Sequence, residues 1–461
     1  MFSSINYGTD TSPEGRMVMF ELLNATEKGL GNGETPIFPI QILKMKEDVT
    51  YNEDDYKLAI KNMDAALNGE LKFKAPNFDI FIRSCQVSAK RLFPNFLFLE
   101  ADYNQNEKWK AEDPERWRWE MACMGCRTRV FDDINGDKTV VGRGNLSFST
   151  INLVRPAILL RKELDDIMNS DDEKIKEVAE KQIIERYIAE IKKTAEFVAD
   201  QLYDRYQFQR KAKAKQFPFL LGQGVWKDGE TLDPNDQVGD IINTGTLSIG
   251  FIGLAEALKA LIGKHHGESK EAQEIGLQVV KTIRDVCDAY RDKYKLNYSC
   301  LATPAEGLSG RFTAIDRKEF GVIEGVTDRD YYTNSCHVPV YYPITAAEKI
   351  AIEAPYHKIC NAGHILYVEM DGDVSKNLQA YMKIVREMYY SNTGYGAINH
   401  PVDRCLSCNY EGVIEDECPK CGETEMIDRI RRITGYLVGG LNRWNSFKKA
   451  EERDRVKHGI K

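Results

Sequence analysis

The sequence predicts an α/β fold built as one continuous body. Short apolar runs bounded by proline, glycine or charge read as buried strands, and between them apolar residues recur at spacings of three and four, the period of an amphipathic helix. A third observation sets the C-terminal region apart: two Cys-x-x-Cys pairs stand close together there.

The elements follow in order. ETPIFPIQILKM (34–45), FPNFLFLEAD (93–102) and GHILYVEM (363–370) read as strands. Ile184, Ile188, Ile191, Ala195, Val198 and Leu202 mark one amphipathic helix, and Ile275, Val279, Ile283, Val286 and Tyr290 another. IINTGTLSIGFIGLAEALKALIG (241–263) opens on small and hydroxyl residues suited to capping and then turns apolar, which predicts a core helix. Glycine and hydroxyl residues gather in 141–156 and 303–312; turns are the simpler reading, with phosphate-receiving amides the sharper one. No internal repeat or low-complexity linker divides the chain.

Composition narrows function by exclusion. The 461 residues are 42% hydrophobic and 29% charged, as in folded globular proteins. A net charge of -8 argues against nucleic-acid binding as the main role. No apolar stretch reaches membrane-spanning length and the first residues lack a secretion signal, so a cytoplasmic, membrane-free protein is expected.

Cys405, Cys408, Cys418 and Cys421 form two Cys-x-x-Cys pairs with nine residues between them, a spacing that brings four thiolates to one tetrahedral centre. A closed four-thiolate shell predicts structural Zn2+; a redox dithiol or an iron–sulfur cluster fits two symmetric pairs less well. Cys123 and Cys126 lie in MACMGCRTRV, where the plain reading is an ordinary buried thiol. Cys287 reads as a core thiol. His265 and His266 are adjacent and poorly disposed to chelate one ion, and His337, His364 and His400 lack ligand-spaced partners in the sequence.

Just beyond the paired cysteines, RITGYL places Gly435 before a basic tail. This segment resembles the glycyl-radical motif of the anaerobic, class III ribonucleotide reductases, which also carry a four-cysteine zinc site shortly before the radical glycine. The resemblance continues through MFSSINYGTDTSPEGR, GLGNGETPIFPIQI, MGCRTRV, GRGNLSFSTINL, TPAEGLSGRF, YYTNSCHVPV and INHPVDRC, nearly the whole chain. Chemistry supports glycine at position 435: an α-carbon radical is stabilised by donation from the amide nitrogen and withdrawal into the carbonyl, and the missing side chain permits the planar geometry.

The resemblance implies part of a ten-stranded α/β barrel over 1–400 with a finger loop near 121–130, a zinc knuckle over 401–426, and the glycyl-radical loop and tail over 427–461. It implies Cys126 as the thiyl residue, with Cys123 its nearest rival, Met124 and Asn145 as marks of formate as reductant, and Tyr332 and Ser335 as an active-site wall, a place Tyr331 could equally fill. Ribonucleoside triphosphates, formate and a radical-SAM activating enzyme, the iron–sulfur source of the radical at Gly435, follow as partners. Since the start matches an interior position of the family, an N-terminal reductase fragment and a homo- or hetero-oligomer are expected. The alternative is a zinc-binding assembly or scaffold protein that keeps the fold without turnover.

Overall fold

The computed structural model describes residues 3–125, 127–168, 172–432, 434–435 and 437–459. The N-terminal half runs β1 (Ser4–Tyr7), α1 (Pro13–Lys28), β2 (Ile40–Met45), α2 (Glu53–Lys61), α3 (Met63–Leu67), α4 (Phe78–Arg91), β3 (Asn95–Phe98), β4 (Cys123–Met124), β5 (Thr128–Arg129), β6 (Asn145–Asn152), α5 (Val154–Glu163), α6 (Asp165–Met168) and α7 (Glu173–Gln209). There follow β7 (Thr246–Ile252), α8 (Leu254–Ile262), α9 (Lys270–Tyr294), β8 (Asn297–Ala302), α10 (Gly307–Phe320), α11 (Ala346–Ile359), β9 (Leu366–Glu369), α12 (Leu378–Tyr390) and β10 (Tyr395–Asn399). The C-terminal part adds β11 (Val402–Cys405), β12 (Glu411–Gly412), β13 (Ile427–Arg432), β14 (Leu437–Gly440) and α13 (Ser446–Asp454).

The main strands form a five-stranded sheet in the order β1-β2-β3-β10-β9 and a three-stranded sheet in the order β6-β7-β8. A parallel bridge between Leu301 and Gly363, just ahead of β9, joins the two. Five strands, β6 to β10 in sequence order, therefore run parallel, and they meet the parallel set β1, β2 and β3 head to tail where β10 pairs antiparallel with β3. Among the described residues β1 and β6 each pair on one side only.

Alternation along the strands separates inside from outside. Leu43, Met45, Phe96 and Phe98 pack outward under α1, α4 and α12. Ile40, Ile42, Leu97 and Ala397 face inward, where they meet Met121, Cys123 and Phe131 beside the β4–β5 hairpin and Ile430 and Leu437 of the β13–β14 hairpin. A third cluster packs β6, β7 and β8 against α5, α7, α8 and α9.

Two expectations change. The segment 241–263 is not one helix: its start is a 3-10 turn, β7 takes Thr246–Ile252 and only α8 is helical. All of β7 is buried, and Thr246, Ser248 and Gly250 alternate along it with Leu247, Ile249 and Phe251, a strand period that the capping residues before it and the apolar helix after it had masked. Within 141–156, eight residues form β6 rather than a turn. The other strands are shorter than their apolar runs; β2 begins only after Pro39, whose nitrogen has no proton to give a ladder.

Candidate functional site

The paired cysteines fold as two matching knuckles. Cys405 N–H donates to Tyr410 O and Asn409 N–H to Cys405 O; in the second knuckle Cys418 N–H donates to Glu423 O and Gly422 N–H to Cys418 O. Asn409 and Gly422, each just after the second cysteine of its pair, take positive φ of 59° and 74°, the left-handed conformation that asparagine and glycine adopt most readily. Sγ atoms of Cys405 and Cys421, and of Cys408 and Cys418, stand 3.6 Å apart, and all four lie within 4.8 Å of one another. Desolvation works against the Cys418 thiolate, but the amides of Lys420 and Cys421 bring this thiol down to about 7. This donor set fits a tetrahedral thiophilic metal without rearrangement.

The knuckle and the glycine share one sheet, β12-β11-β13-β14, in which Cys405 pairs with Ile427. β13 leads directly to Gly435, which is buried at the turn into β14, and Arg432 and Leu437 pair across that turn. Arg432 is buried and donates to the carbonyl oxygens of Gly435, at 3.2 Å, and Leu92, and to Asn399 Oδ1 at 2.9 Å. Thr434 Oγ1 donates to Glu306 Oε1 at 3.2 Å, at the start of α10.

The second hairpin to reach the interior is β4–β5. Asn6 pins it to β1, accepting from Cys123 N–H and donating to Cys123 O, both at 3.0 Å. Cys126, between β4 and β5 in the sequence, lies outside the described residues. Its neighbour Arg127 is fully buried and donates to Ala302 O and to the Tyr367 hydroxyl, each at 3.3 Å. A Cβ on Gly363 would come within 1.9 Å of Arg127 O, so the hairpin fits there only against a glycine. Tyr367 also lines a cavity of about 40 Å³ whose walls include Arg432, Thr434, His337 and Asn334. Tyr367 thus stands between the two hairpin tips.

Sequence-predicted residues fall around this centre unevenly. Met124, on β4, is 36% exposed. Asn145 opens β6 level with Thr246 and Asn297, at the end of the sheet opposite the Ala302 carbonyl that Arg127 meets; its buried Oδ1 has no partner among the described residues. Tyr332 does not face the cavity: its hydroxyl donates to Asp316 Oδ2 and its ring belongs to the helical core. Tyr331, Thr333 and Asn334 line this cavity, whereas Tyr332 and Ser335 do not. Ser335 is buried, at φ 45°, with no partner for its hydroxyl among the described residues.

Sequence spacing hid a cluster of histidines. His337, Glu353 and His364 bring ligand atoms within 4.8 Å of one another, although nothing in the sequence spaces them as ligands. His337 Nδ1 lies 2.9 Å from Glu353 Oε2, while Lys349 and the Val338 amide hold Oε1. Both carboxylate oxygens are engaged, which leaves the trio a poor cation site. Burial holds His337 below its ordinary pKa despite the adjacent carboxylate, so its ring is neutral near pH 7. Cys287 is a core thiol on α9, and His265 and His266 are buried in a turn.

Comparison with known proteins decides the family. The family model described as anaerobic ribonucleoside-triphosphate reductase matches residues 1–458. The chain belongs to that family. The Salmonella typhimurium anaerobic ribonucleoside-triphosphate reductase is 30% identical over 99% of this chain and 58% of its own length. That of phage T4 is 30% identical over 99% of the chain and 68% of its own length. A solved anaerobic ribonucleotide reductase superposes with a TM-score of 0.60 at 17% identity, over 97% of this chain and 58% of that one, which shows the shared fold. The chain thus spans little more than half the length of the bacterial relative.

Proposed function

We propose that this chain is the radical-bearing C-terminal part of an anaerobic ribonucleoside-triphosphate reductase, an oxidoreductase that converts ribonucleotides to 2′-deoxyribonucleotides. One observation carries the reading beyond family membership: Gly435 is buried at a hairpin tip that enters the same strand-lined interior as the hairpin bearing Cys126. Gly435 stores the radical, and Cys126 exchanges a hydrogen atom with it and takes the ribose 3′ hydrogen. The 2′-hydroxyl then leaves as water. Arg127 and Tyr367 orient the finger hairpin, and Tyr331, Thr333 and Asn334 wall the chamber.

Cys405, Cys408, Cys418 and Cys421 hold Zn2+, which fixes the sheet that presents Gly435 and takes no part in the reaction. Formate is the proposed reductant, on the family match of Met124, two residues before Cys126; Asn145, at the far end of its sheet from the Ala302 carbonyl that Arg127 meets, adds no support from its position. The radical is raised by a radical-SAM activase, and the N-terminal reductase segment that the longer relatives carry, on the same polypeptide or on another, completes the enzyme. The test is an electron paramagnetic resonance spectrum after anaerobic incubation with activase and S-adenosylmethionine, with and without that segment. A doublet from a glycyl α-proton is expected; its absence under both conditions removes the reading.

A further inference from the structure

β13 alternates as a strand must, and its arginines divide accordingly. Arg429 and Arg431 share Asp403 as an ion-pair partner, and Glu452 reaches Arg431 as well. Ile430 and Arg432 turn inward. Beside Ile430 an apolar side chain would satisfy the core, yet the chain buries a guanidinium there at 1% exposure. Among the described residues no carboxylate forms an ion pair with it. Its partners are the oxygens of Leu92, Asn399 and Gly435, and it lies 5.0 Å from the Phe93 ring centre. Burial lowers its pKa, the mark of a cation kept from water at a cost that neutral dipoles offset only in part. Stability alone gives no reason to keep such a charge.

We propose that Arg432 tunes the Gly435 radical: its guanidinium, donating to the Gly435 carbonyl oxygen at 3.2 Å, stabilises the unpaired electron on the α-carbon and so sets how the hydrogen atom is shared between Gly435 and Cys126. The proposal rests on the radical reading above. When the sulfur radical of Cys126 takes the hydrogen, the Gly435 Cα–H bond breaks and an S–H bond forms; proton and electron move together and no further reactant is required. In the radical the amide nitrogen gives density to the α-carbon and the carbonyl withdraws it, so negative charge builds on the carbonyl oxygen. A cation already fixed on that oxygen favours the radical over the closed-shell glycine without reorganising. A charged donor does this about twice as strongly as a neutral one. Glu369, the carboxylate that acts on it across the same cavity, reaches it only through Asn399, so the Gly435 carbonyl is among the oxygens the guanidinium bonds directly.

The test uses the full chain, activated anaerobically with a radical-SAM activase and S-adenosylmethionine. With 15N in the arginine side chains, electron–nuclear double resonance on the unmutated protein should show an exchangeable proton and a nitrogen coupled to the glycyl signal. Absence of both would overturn the proposal without any substitution. Arg432→Gln keeps a donor and removes the charge; it should alter the α-proton splitting and speed anaerobic decay of the radical about tenfold, the difference between charged and neutral hydrogen bonds. Arg432→Lys should restore most of the lifetime. An R432Q chain with normal metal content and melting temperature, unchanged splitting and unchanged decay sinks the idea. If the unmutated chain gives no glycyl signal while the activase is shown to cleave S-adenosylmethionine, the radical reading itself fails and takes this proposal with it.

Discussion

The Arg127 guanidinium lies 3.3 Å from the hydroxyl oxygen of Tyr367, a side chain that also lines the cavity beside Thr434. This contact ties the finger hairpin to the chamber entered by the glycine hairpin. Tyr367→Phe removes the acceptor while keeping the ring under Arg127. The expected loss is about 1 kcal/mol of stability, the net worth of one hydrogen bond, with a fall in turnover of roughly 10- to 100-fold if the tip moves by a fraction of an ångström. Denaturant melts and anaerobic turnover measure the two separately; equal turnover in both proteins would remove Tyr367 from the site.

Metal content tests the knuckle. One zinc per chain is expected, and Cys418→Ala should abolish it, because three thiolates leave the shell open. Since Cys405 pairs with Ile427 on the strand that ends at Arg432, loss of metal should loosen β13 and expose the chain between 405 and 440 to protease. Elemental analysis and limited proteolysis of the two proteins give the answer. Undiminished zinc in C418A would overturn the ligand assignment.

Oxygen supplies a readout at Gly435. Dioxygen adds to a glycyl radical and the product fragments the backbone, so activated chain exposed to air should be cut at Gly435, as mass spectrometry will show. Gly435→Ala should lose both signal and cut. Cys126→Ser should keep both and lose turnover, since storage survives while the relay to ribose does not.

The parts legible in sequence are those whose signal is local. The knuckle is fixed by spacing within seventeen residues, and both long amphipathic helices repeat their apolar faces many times. β7 reads as helix only when it is merged with the apolar α8 that follows it; taken alone, Leu247, Ile249 and Phe251 alternate with Thr246, Ser248 and Gly250 as a strand does. Tyr331 lines the cavity while its neighbour Tyr332 lies in the helical core, a choice of side that depends on backbone geometry rather than on residue type. Arg127, Tyr367 and the His337–Glu353 pair were invisible for another reason: the partners stand 16 residues apart in the histidine–glutamate pair and 240 apart in the arginine–tyrosine pair, and only the fold brings them together. Arg432 was hidden among surface-like arginines, although the alternation of RIRR on a strand carries a hint that one of them points inward.

Glu256 gives a pH prediction. Burial raises its carboxyl from 4.5 to about 7, against the hydrogen bonds from the Thr333 amide and hydroxyl, and its Oε2 has no partner among the described residues. Between about pH 4.5 and pH 7 the folded chain holds a proton that the unfolded chain has released, so stability falls as pH rises through that window and levels off above it. The full effect is about 3 kcal/mol. Glu256→Gln retains an acceptor for Thr333 and removes the titration. It should match the unmutated protein below the window and exceed it by about that amount above pH 7; parallel stability curves would show that Glu256 does not titrate there.

The last prediction concerns the two edges. β1 and β6 each carry a ladder on one side only among the described residues, and Ile5 on β1 and Phe148 on β6 are 39% and 49% exposed. An unpaired edge with apolar side chains is a template for another strand, and soluble proteins cover such edges. The eight strands already fall into a parallel five and a parallel three of opposite direction, so a polypeptide supplying two strands between β1 and β6 would bring both sets to five. Such a polypeptide should bind tightly, because it adds ladder hydrogen bonds and buries both apolar edges as an obligate interface does. Turnover should require it, since the chamber otherwise lacks a wall to hold ribose against Cys126 and to exclude water. Anaerobic assays with activase, a ribonucleoside triphosphate and formate should therefore show no reduction by this chain alone and recovery with the N-terminal reductase segment. Hydrogen exchange at 4–7 and 145–152 should slow on binding; full activity of the chain alone, or unchanged exchange at both edges in an active mixture, would refute the split-barrel reading.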